Sequence, residues 1–353
     1  MSAERRLVAL DGIRGVAVLL VVIGHVSGTV APYGANVGVT LFFVLSGYLI
    51  TSLLLKEHAR FGNINFLFFY ARRALRLYPA LLAILVLTPL LLLIAGDDRV
   101  GGYPLNAIFT GLYLSDFLEA SGRSMEYFNH TWSLAVEEQF YLVWPLLLAL
   151  LLLAAARLGS RSTPWLFGTF VVVLTALALG WRVVATLVLD SDRVYYAPDT
   201  NAFILLLGCS MAVLPSTWMR QVPKWAAVAA LAALIALSVA LRNPSDDGRN
   251  WVVVASSVFA VIAIAGSLDG NKILSFRVLT FFGAISYGLY LWHNVLLRIE
   301  WGGEDPGGLM RPGLALLSIG VAYASFKLLE TPIQRRLKSR VTRVAVPLPS
   351  TST

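Results

Sequence analysis

Residues 9–28 read ALDGIRGVAVLLVVIGHVSG, and this stretch decides the fold class. A run of about 20 apolar residues is long enough for a helix to cross the hydrocarbon core of a bilayer. The composition agrees, because 58% of the 353 residues are hydrophobic, 14% are charged and the mean hydropathy is +0.73. Soluble proteins carry about 25% charged residues. The sequence therefore predicts an all-α, polytopic integral membrane protein.

Ten apolar runs are interpreted as membrane-crossing helices: residues 7–27, 37–55, 77–94, 141–156, 165–188, 202–214, 226–241, 251–267, 279–297 and 313–329. Residues 105–118 are too short and too polar for another span, so we expect an external or re-entrant segment there. Of the 28 basic residues, 18 then fall on the side of the amino terminus, six on the other side and four within spans. This positive-inside pattern predicts about ten transmembrane helices with both termini cytoplasmic, in the inner (plasma) membrane.

The remaining composition bounds the domains and the function. Residues 1–335 are expected to form one membrane domain, and residues 336–353 a basic, disordered cytoplasmic tail. The net charge of +8 is spread over short clusters between apolar runs, which argues against nucleic-acid binding. The single cysteine, Cys209, excludes an internal disulfide and lies in an apolar run, so an inert thiol is expected. We predict no metal site.

Arg14 and His25 are polar residues inside the first apolar run. Eleven helical residues separate them by about 16 Å along the axis and by only about 20° around it, so both side chains face one direction. An arginine in hydrocarbon costs at least about 2.5 kcal/mol, so such residues usually face the protein interior. The functional interpretation is a catalytic pair; the structural one is an arginine paired with Asp11 and an unrelated core histidine.

The next two apolar runs add small and basic residues. Ser46 and Gly47 lie in the middle of the second run, where a glycine permits close helix approach. Arg72, Arg73 and Arg76 follow in FYARRALRLYP, with the spacing that clusters side chains on one helical face. Several guanidinium groups can bind the phosphates of a nucleotide-bearing ligand. The alternative is that they anchor the protein at lipid headgroups.

Two later segments add candidate residues. FNHTWSLAVEEQFYLVWP, residues 128–145, places His130, Trp132, Ser133 and Glu137 ahead of a hydrophobic helix. They either overhang the cavity that contains His25 or serve a helix start, with Thr131 or Ser133 as its cap. ISYGLYLWHNVLL, residues 285–297, places Tyr290 and His293 three residues apart, on one face of a helix. A functional role and a packing role are equally compatible with that spacing.

Six motifs in this order resemble the acyltransferase 3 family of membrane O-acyltransferases: LDGIRGVAVLLVVIGH, VGVTLFFVLSGYLIT, FYARRALRLYP, HTWSLAVEEQFYLVWP, SYGLYLWH and YASFKLLETP. The resemblance covers residues 7–332. It implies ten helices and the transfer of an acyl group from acyl-CoA to hydroxyl groups of cell-envelope glycans, lipids or macrolide-type metabolites. The family's functional residues correspond to Arg14 and His25, to Arg73 and Arg76, and to Trp132, Ser133, Leu134 and Glu137.

Two departures from the family pattern concern substrate contacts and length. Many relatives carry an arginine at the start of the sixth span, where this chain has Asn201. Some relatives carry an esterase-like domain after the membrane part, whereas about twenty polar and basic residues follow Pro332 here. We therefore expect this chain to do without such an esterase-like domain and without acyl hand-off to it.

The predicted function is transfer of an acyl group, expected to be acetyl, from acyl-CoA to a hydroxyl of a cell-envelope carbohydrate or glycolipid. A small metabolite such as a macrolide is an alternative acceptor, and a transporter or flippase is the alternative from another class. We predict no permanently bound cofactor; the partners are membrane lipids, acyl-CoA and the acceptor. The assigned roles are catalytic for His25, Arg14, Ser133 and Glu137, donor-binding for Arg72, Arg73 and Arg76, and substrate-binding for His130, Trp132, Tyr290 and His293.

Overall fold

The structure is a computed structural model that describes residues 3–157, 163–240 and 246–335. Within these ranges the chain is helical and has no β-strand. The predicted tail, residues 336–353, lies outside the described residues. The helices are α1 (Ala3–Val26), α2 (Gly34–Phe61), α3 (Phe66–Ala95), α4 (Tyr103–Gly111), α5 (Ser115–Ala120), α6 (Trp132–Arg157), α7 (Thr163–Val188), α8 (Ser191–Tyr196), α9 (Pro198–Val213), α10 (Ser216–Met219), α11 (Lys224–Ala240), α12 (Asp246–Ala265), α13 (Arg277–Arg298) and α14 (Met310–Ser325), which continues as a π-helical turn at Phe326–Glu330.

Seven helices of the described chain are long and apolar enough to cross a membrane, namely α1, α2, α3, α6, α7, α12 and α14. The all-α, polytopic fold class is thereby confirmed. The other three predicted spans correspond to α9, α11 and α13. Helices α9 and α11 have 16 and 17 residues, and α13 carries buried polar residues such as His293 and Asn294. The count of ten spans and the cytoplasmic termini stay predictions.

The segment 105–118 is divided between two short helices. Helix α4 has nine residues and α5 has six, and Tyr113 between them has a positive φ of 56°. A spanning helix needs about 20 residues. Neither helix reaches that length, in agreement with the expectation that this segment is not an additional span. Both helices pack beside the 3₁₀ turn Glu126–Thr131, which lies against α13.

Helices α2 and α9 approach each other closely through glycines. A Cβ atom on Gly47 would lie 1.9 Å from the carbonyl oxygen of Leu205, and one on Gly208 would lie 2.0 Å from that of Val44. Any side chain at these positions would push the helices apart, so only glycine fits. The close approach predicted at Gly47 is confirmed.

Helices α1 and α13 are joined in the same way. A Cβ atom on Gly15 would lie 2.0 Å from the carbonyl oxygen of Leu279, and one on Gly283 would lie 1.9 Å from that of Asp11. Backbone therefore rests on backbone along this pair. The contact fixes the two helices that carry His25 and His293.

Polar and apolar residues are distributed as in a membrane protein. Large apolar side chains are exposed on α3, α6 and α7, as at Val86, Leu150 and Leu177. Polar side chains such as Arg182 and His293 are instead fully buried. Because lipid accepts apolar surface and polar residues in membranes face the interior, these outer faces are the ones that contact lipid.

Candidate functional site

A cavity lined by both polar and apolar side chains lies between α2, α3, α6 and α13. It holds about 1020 Å³ of empty space, its open mouth included. Six residues predicted for the site line it, and together with its other polar lining residues they are Arg14, Ser46, Arg73, Arg76, Tyr113, Ser133, Glu137, Glu138, Tyr141, Ser286, Tyr287 and Tyr290. The fold therefore brings parts of α1, α2, α3, α6 and α13 to one space, although they are far apart in sequence.

Three guanidinium groups contribute positive charge to the cavity. Arg73 donates a hydrogen bond of 2.7 Å to Glu138 Oε1, and its Cζ lies 3.4 Å from the centroid of the Tyr141 ring. Arg14 forms an ion pair with Asp11, as the structural interpretation of that arginine expected, and it also lines the cavity. Arg76 is exposed to the cavity, and no hydrogen bond or ion pair joins its guanidinium to another described residue. Arg76 is therefore available to an anionic ligand.

Arg72 has different surroundings. It is exposed and does not line the cavity, and its guanidinium carbon lies 5.4 Å from the centroid of the Phe68 ring. Arg72 and Arg76 are four residues apart and share a face of α3, so Arg72 is separated from the cavity-lining Arg76 by about 6 Å along the helix axis. The structure therefore brings two of the three predicted donor-binding arginines into the cavity, and a donor-binding role for Arg72 stays a prediction.

Glu137 connects α2 with α6 in the cavity wall. Its Oε1 accepts hydrogen bonds from the Ser46 hydroxyl and from the Tyr141 hydroxyl, the latter at 2.5 Å. One donor comes from α2 and the other from α6. The two hydroxyl groups therefore fix the orientation of the Glu137 side chain in the cavity wall.

Ser133 and Tyr290 form the inner end of the cavity. Their hydroxyl oxygens are 2.5 Å apart, and the Tyr290 hydroxyl donates to the carbonyl oxygen of His130 at 2.8 Å. Since a tyrosine has one hydroxyl hydrogen, the Ser133 hydroxyl donates to Tyr290.

The Thr131 hydroxyl donates to the carbonyl oxygen of Phe128. In the described contacts, neither Ser133 nor Thr131 accepts the backbone N–H that a helix cap would accept.

His25 and His293 are hydrogen-bonded to each other. His25 Nδ1 lies 2.8 Å from His293 Nε2, and the rings are stacked with centroids 5.1 Å apart. His293 Nδ1 lies 2.9 Å from the carbonyl oxygen of Leu289. His25 does not line the cavity, and the Tyr290 ring lies between the cavity and His293, 5.8 Å from it between centroids. Arg14 therefore lines the cavity, whereas His25 does not.

His130 is buried beside this pair, with both ring nitrogens hydrogen-bonded. Nε2 donates to the carbonyl oxygen of Leu291 at 3.2 Å, and Nδ1 accepts from the Asn294 side chain at 3.1 Å. Its ring centroid is 5.6 Å from that of His293. The predicted contact of His130 with substrate has no support from this geometry and stays a prediction.

Trp132 also lies away from the cavity. It is buried and packs on Phe43, Tyr195 and Tyr196, with ring centroids 4.8 to 6.1 Å apart. It anchors the start of α6 to α2 and α8, and its predicted substrate contact stays a prediction.

Asn201, which stands where many relatives have an arginine, lies in a buried polar cluster. Its Oδ1 is 3.5 Å from Nη1 of Arg182, which comes from α7. Arg182 also donates to the carbonyl oxygen of Val194 and to the Asn250 side chain, at 2.6 and 2.9 Å. A guanidinium is therefore present beside Asn201 in space, contributed by another helix.

One residue that contacts the candidate base was not found from the sequence. Arg311, at the start of α14, donates to the carbonyl oxygens of His25 and Val26 at 2.6 and 3.1 Å. In the sequence it resembles any loop arginine before a span, and no local pattern indicates its partner. Among the described residues, no three His, Cys, Asp or Glu side chains are arranged as metal ligands.

Fold and site together define a class: a polytopic α-helical membrane protein in which an arginine-lined cavity ends next to a hydrogen-bonded histidine pair. The chain belongs to the acyltransferase 3 family, because the sequence profile of that family, described as an acyltransferase domain, matches residues 7–327. The resemblance seen in the six motifs is thereby confirmed.

Similar proteins are known from Staphylococcus aureus. The chain is 31% identical, over 362 aligned positions, to O-acetyltransferase OatA of strains NCTC 8325 / PS 47 and COL. The alignments include 95% of this chain and 58% of each relative, so the chain spans less than two thirds of their length. No solved structure gives a significant match.

Proposed function

We propose that this protein is an O-acyltransferase of the plasma membrane that moves an acetyl group from acetyl-CoA to a hydroxyl of a cell-envelope carbohydrate or glycolipid. The observation that carries the proposal is the arginine-lined cavity ending at Ser133 and Tyr290, directly beside the His25–His293 pair, in a chain of the acyltransferase 3 family. The name of the Staphylococcus aureus relatives, O-acetyltransferase OatA, supports acetyl as the acyl group and oxygen as its acceptor.

Donor binding is assigned to Arg73, Arg76 and Arg14. Coenzyme A is polyanionic, and guanidinium groups pair well with phosphate oxygens. Arg76 has no partner among the described residues, so it gains the most from a bound phosphate. Arg73 is already paired with Glu138. It therefore contributes positive electrostatic potential to the cavity more than an unpaired hydrogen-bond donor. With the predicted topology, this mouth faces the cytoplasm, where acyl-CoA is made.

The chemistry follows from the residues at the inner end. His25 removes the proton of the acceptor hydroxyl as its oxygen attacks the thioester carbonyl carbon. The carbon–sulfur bond then breaks, and the coenzyme A thiolate leaves and takes up a proton. The Ser133 hydroxyl is assigned to the developing negative charge on the carbonyl oxygen, a role that water-excluded donors perform well. Glu137 holds Ser46 and Tyr141 in the cavity wall.

The Ser133–Tyr290 contact sets a requirement on this mechanism. Tyr290 lines the cavity, and its ring centroid lies 5.8 Å from that of His293, so we propose that the Tyr290 side chain moves aside when acceptor and thioester meet. The acceptor is assigned to the opposite, external side because His25 lies near the end of α1 remote from Arg14.

The test is acceptor-dependent thiol release from acetyl-CoA by detergent-purified protein. The acceptor panel contains simple sugars, membrane glycans and a macrolide. We expect release by the wild type and a loss of about 100-fold or more in His25→Ala, since a general base contributes about 10²- to 10⁴-fold. His58→Ala, at the end of α2, is the matched control and should keep wild-type activity. Folded wild-type protein that releases no thiol with any acceptor would contradict the proposal and favour transport.

A further inference from the structure

The hydrogen bonds around His25 determine which of its ring nitrogens is free. The carbonyl oxygen of Leu289 can only accept, so His293 Nδ1, 2.9 Å away, carries a hydrogen. In a neutral His293 the other nitrogen, Nε2, then has no hydrogen and accepts from His25 Nδ1 at 2.8 Å. The remaining nitrogen of His25, Nε2, is left with its lone pair. The tautomers are thus assigned from the hydrogen-bond partners.

This arrangement suits a base. A general base needs an unprotonated nitrogen facing its substrate, and the nitrogen on the other side of the ring usually holds it in place. The two imidazole planes are only 20° apart, so the stacked contact also limits rotation of the His25 ring. His293 is fully buried, and its own position is fixed on α13 by the Leu289 carbonyl.

The backbone of His25 is held from a second side. The last carbonyl groups of a helix have no partner within the helix. At the end of α1, Arg311 Nη2 donates to the His25 carbonyl at 2.6 Å and Nε donates to the Val26 carbonyl at 3.1 Å. Its positive charge also complements the negative end of the α1 dipole. A third contact, 3.5 Å from Nη1 to the carbonyl of Pro306, fixes the guanidinium itself.

We infer that His293 and Arg311 are positioning residues for His25: His293 selects the tautomer that leaves Nε2 free, and Arg311 fixes the end of α1 that carries the ring. This inference rests on the proposed function, in which His25 is the base. It gives His293 a role other than substrate binding, and it gives a role to Arg311, which lies 286 residues from His25 in sequence.

The kinetic test compares variants that remove or retain each hydrogen bond. His293→Leu removes the acceptor for His25 Nδ1–H, whereas His293→Gln retains an oxygen close to the position of Nε2. Arg311→Met removes both donors, and Arg311→Lys retains a cation that can donate. We expect kcat to fall about tenfold or more in His293→Leu and Arg311→Met, with the KM for acetyl-CoA unchanged, and to recover to within about threefold of wild type in the Gln and Lys variants.

A spectroscopic test decides the tautomer without using activity. The chain has four histidines, so ¹⁵N-histidine spectra of the purified protein can be assigned with single His→Gln variants, His58→Gln serving as a neutral control. We expect His25 to show a protonated Nδ1 and a bare Nε2 in the wild type, and a mixture of tautomers in His293→Leu. The His25 signals of Arg311→Met should broaden as the helix end loses its cap.

The outcomes separate the inference from the proposed function. If the wild type is active and folded His293→Leu and Arg311→Met have the same kcat as the wild type, the inference is overturned. The proposed function then still stands. A His25 Nδ1 without a hydrogen in the wild-type spectrum would overturn it as well, whatever the activity. Wild type inactive with every acceptor would overturn the proposed function, and with it the positioning of a base. Size-exclusion profiles and melting temperatures establish that each variant is folded.

Discussion

Arg72 and Arg76 lie four residues apart on α3 and have different surroundings. The Arg76 guanidinium faces the cavity with no described partner, whereas Arg72 lies over the ring of Phe68. We expect Arg76→Gln to raise the KM for acetyl-CoA about 10- to 100-fold, because a hydrogen bond to a charged group is worth about 1.5–3 kcal/mol. Steady-state kinetics and calorimetric binding of coenzyme A measure the effect.

Arg72→Gln is the matched control for that prediction. Removing the same charge from the same helix, outside the cavity, should change the KM by less than about twofold, since exposed charges contribute about 0–1 kcal/mol. Equal effects of the two substitutions would indicate that these arginines act as membrane anchors and that the cavity does not bind the donor.

The raised pKa of Glu119 predicts that the stability of the protein depends on pH. It lies on α5, outside the candidate spans, and burial raises its pKa to about 7. A carboxyl whose pKa is higher in the folded state binds its proton more tightly there, so unfolding free energy falls as pH rises from about 5 to 8. At about 1.4 kcal/mol per pKa unit, this loss is about 3 kcal/mol.

Glu119→Gln should remove this part of the pH dependence and raise the melting temperature at pH 8.5 more than at pH 5.5. The amide oxygen of glutamine can still accept from the backbone N–H of Met125, which Glu119 accepts at 2.6 Å. Glu304→Gln, at an exposed position, serves as the control. A melting profile of Glu119→Gln parallel to that of the wild type at all pH values would contradict this prediction.

The sequence predicted site residues where their motifs lie on facing helices. Arg14, Arg73, Arg76, Ser133 and Glu137, which correspond to the family motifs, all line the cavity, and their roles stay predictions. The sequence could not predict which partners these groups have, because a hydrogen bond between distant segments leaves no periodicity in either one.

The histidine pair and its cap illustrate this limit. His25 and His293 are 268 residues apart, and the Arg311 contact to His25 spans 286. Helical geometry also made Arg14 and His25 share a direction, yet of the two only Arg14 lines the cavity, whereas His25 pairs with His293. Side-chain packing between helices, which decided the matter, is not contained in the spacing along one helix.

Among the helices, the α2–α9 pair gives the sharpest prediction. Gly47→Leu should lower the free energy of unfolding by about 3 kcal/mol or prevent folding, because overpacking of a tight contact costs about 1–3 kcal/mol or more and a Cβ there would meet Leu205. Thermal melting in detergent measures the loss. Gly180→Leu on α7, where a Cβ would meet nothing within 4 Å, should leave stability unchanged or raise it.

Equal melting temperatures of Gly47→Leu and wild type would show that α2 and α9 are not in backbone contact. The sequence indicated this contact through a small residue in mid-span, since glycine in a membrane helix is typical of close packing. It did not identify the partner helix, because α9 is short and its apolar residues surround the whole helix, which gives no preferred face.

For the whole molecule, the predicted topology has a direct test. Cys209 is fully buried, so a cysteine introduced elsewhere is the reactive one. We expect a membrane-impermeant maleimide to label Thr29→Cys in intact cells and to label Arg72→Cys only after lysis. Both positions are exposed, one in the loop after α1 and one on α3. Labelling of Arg72→Cys in intact cells would contradict cytoplasmic termini and the cytoplasmic entry of the donor.

The glycine contacts between α1 and α13 have a mechanical consequence. Where backbone lies on backbone, as at Gly15 and Gly283, there is no side chain whose rearrangement would let one helix slide along the other. The helices α1 and α13, which carry His25 and His293, therefore keep a fixed position relative to each other. We therefore expect the movement that the proposed mechanism requires to come from the Tyr290 side chain and not from a shift of α1 along α13.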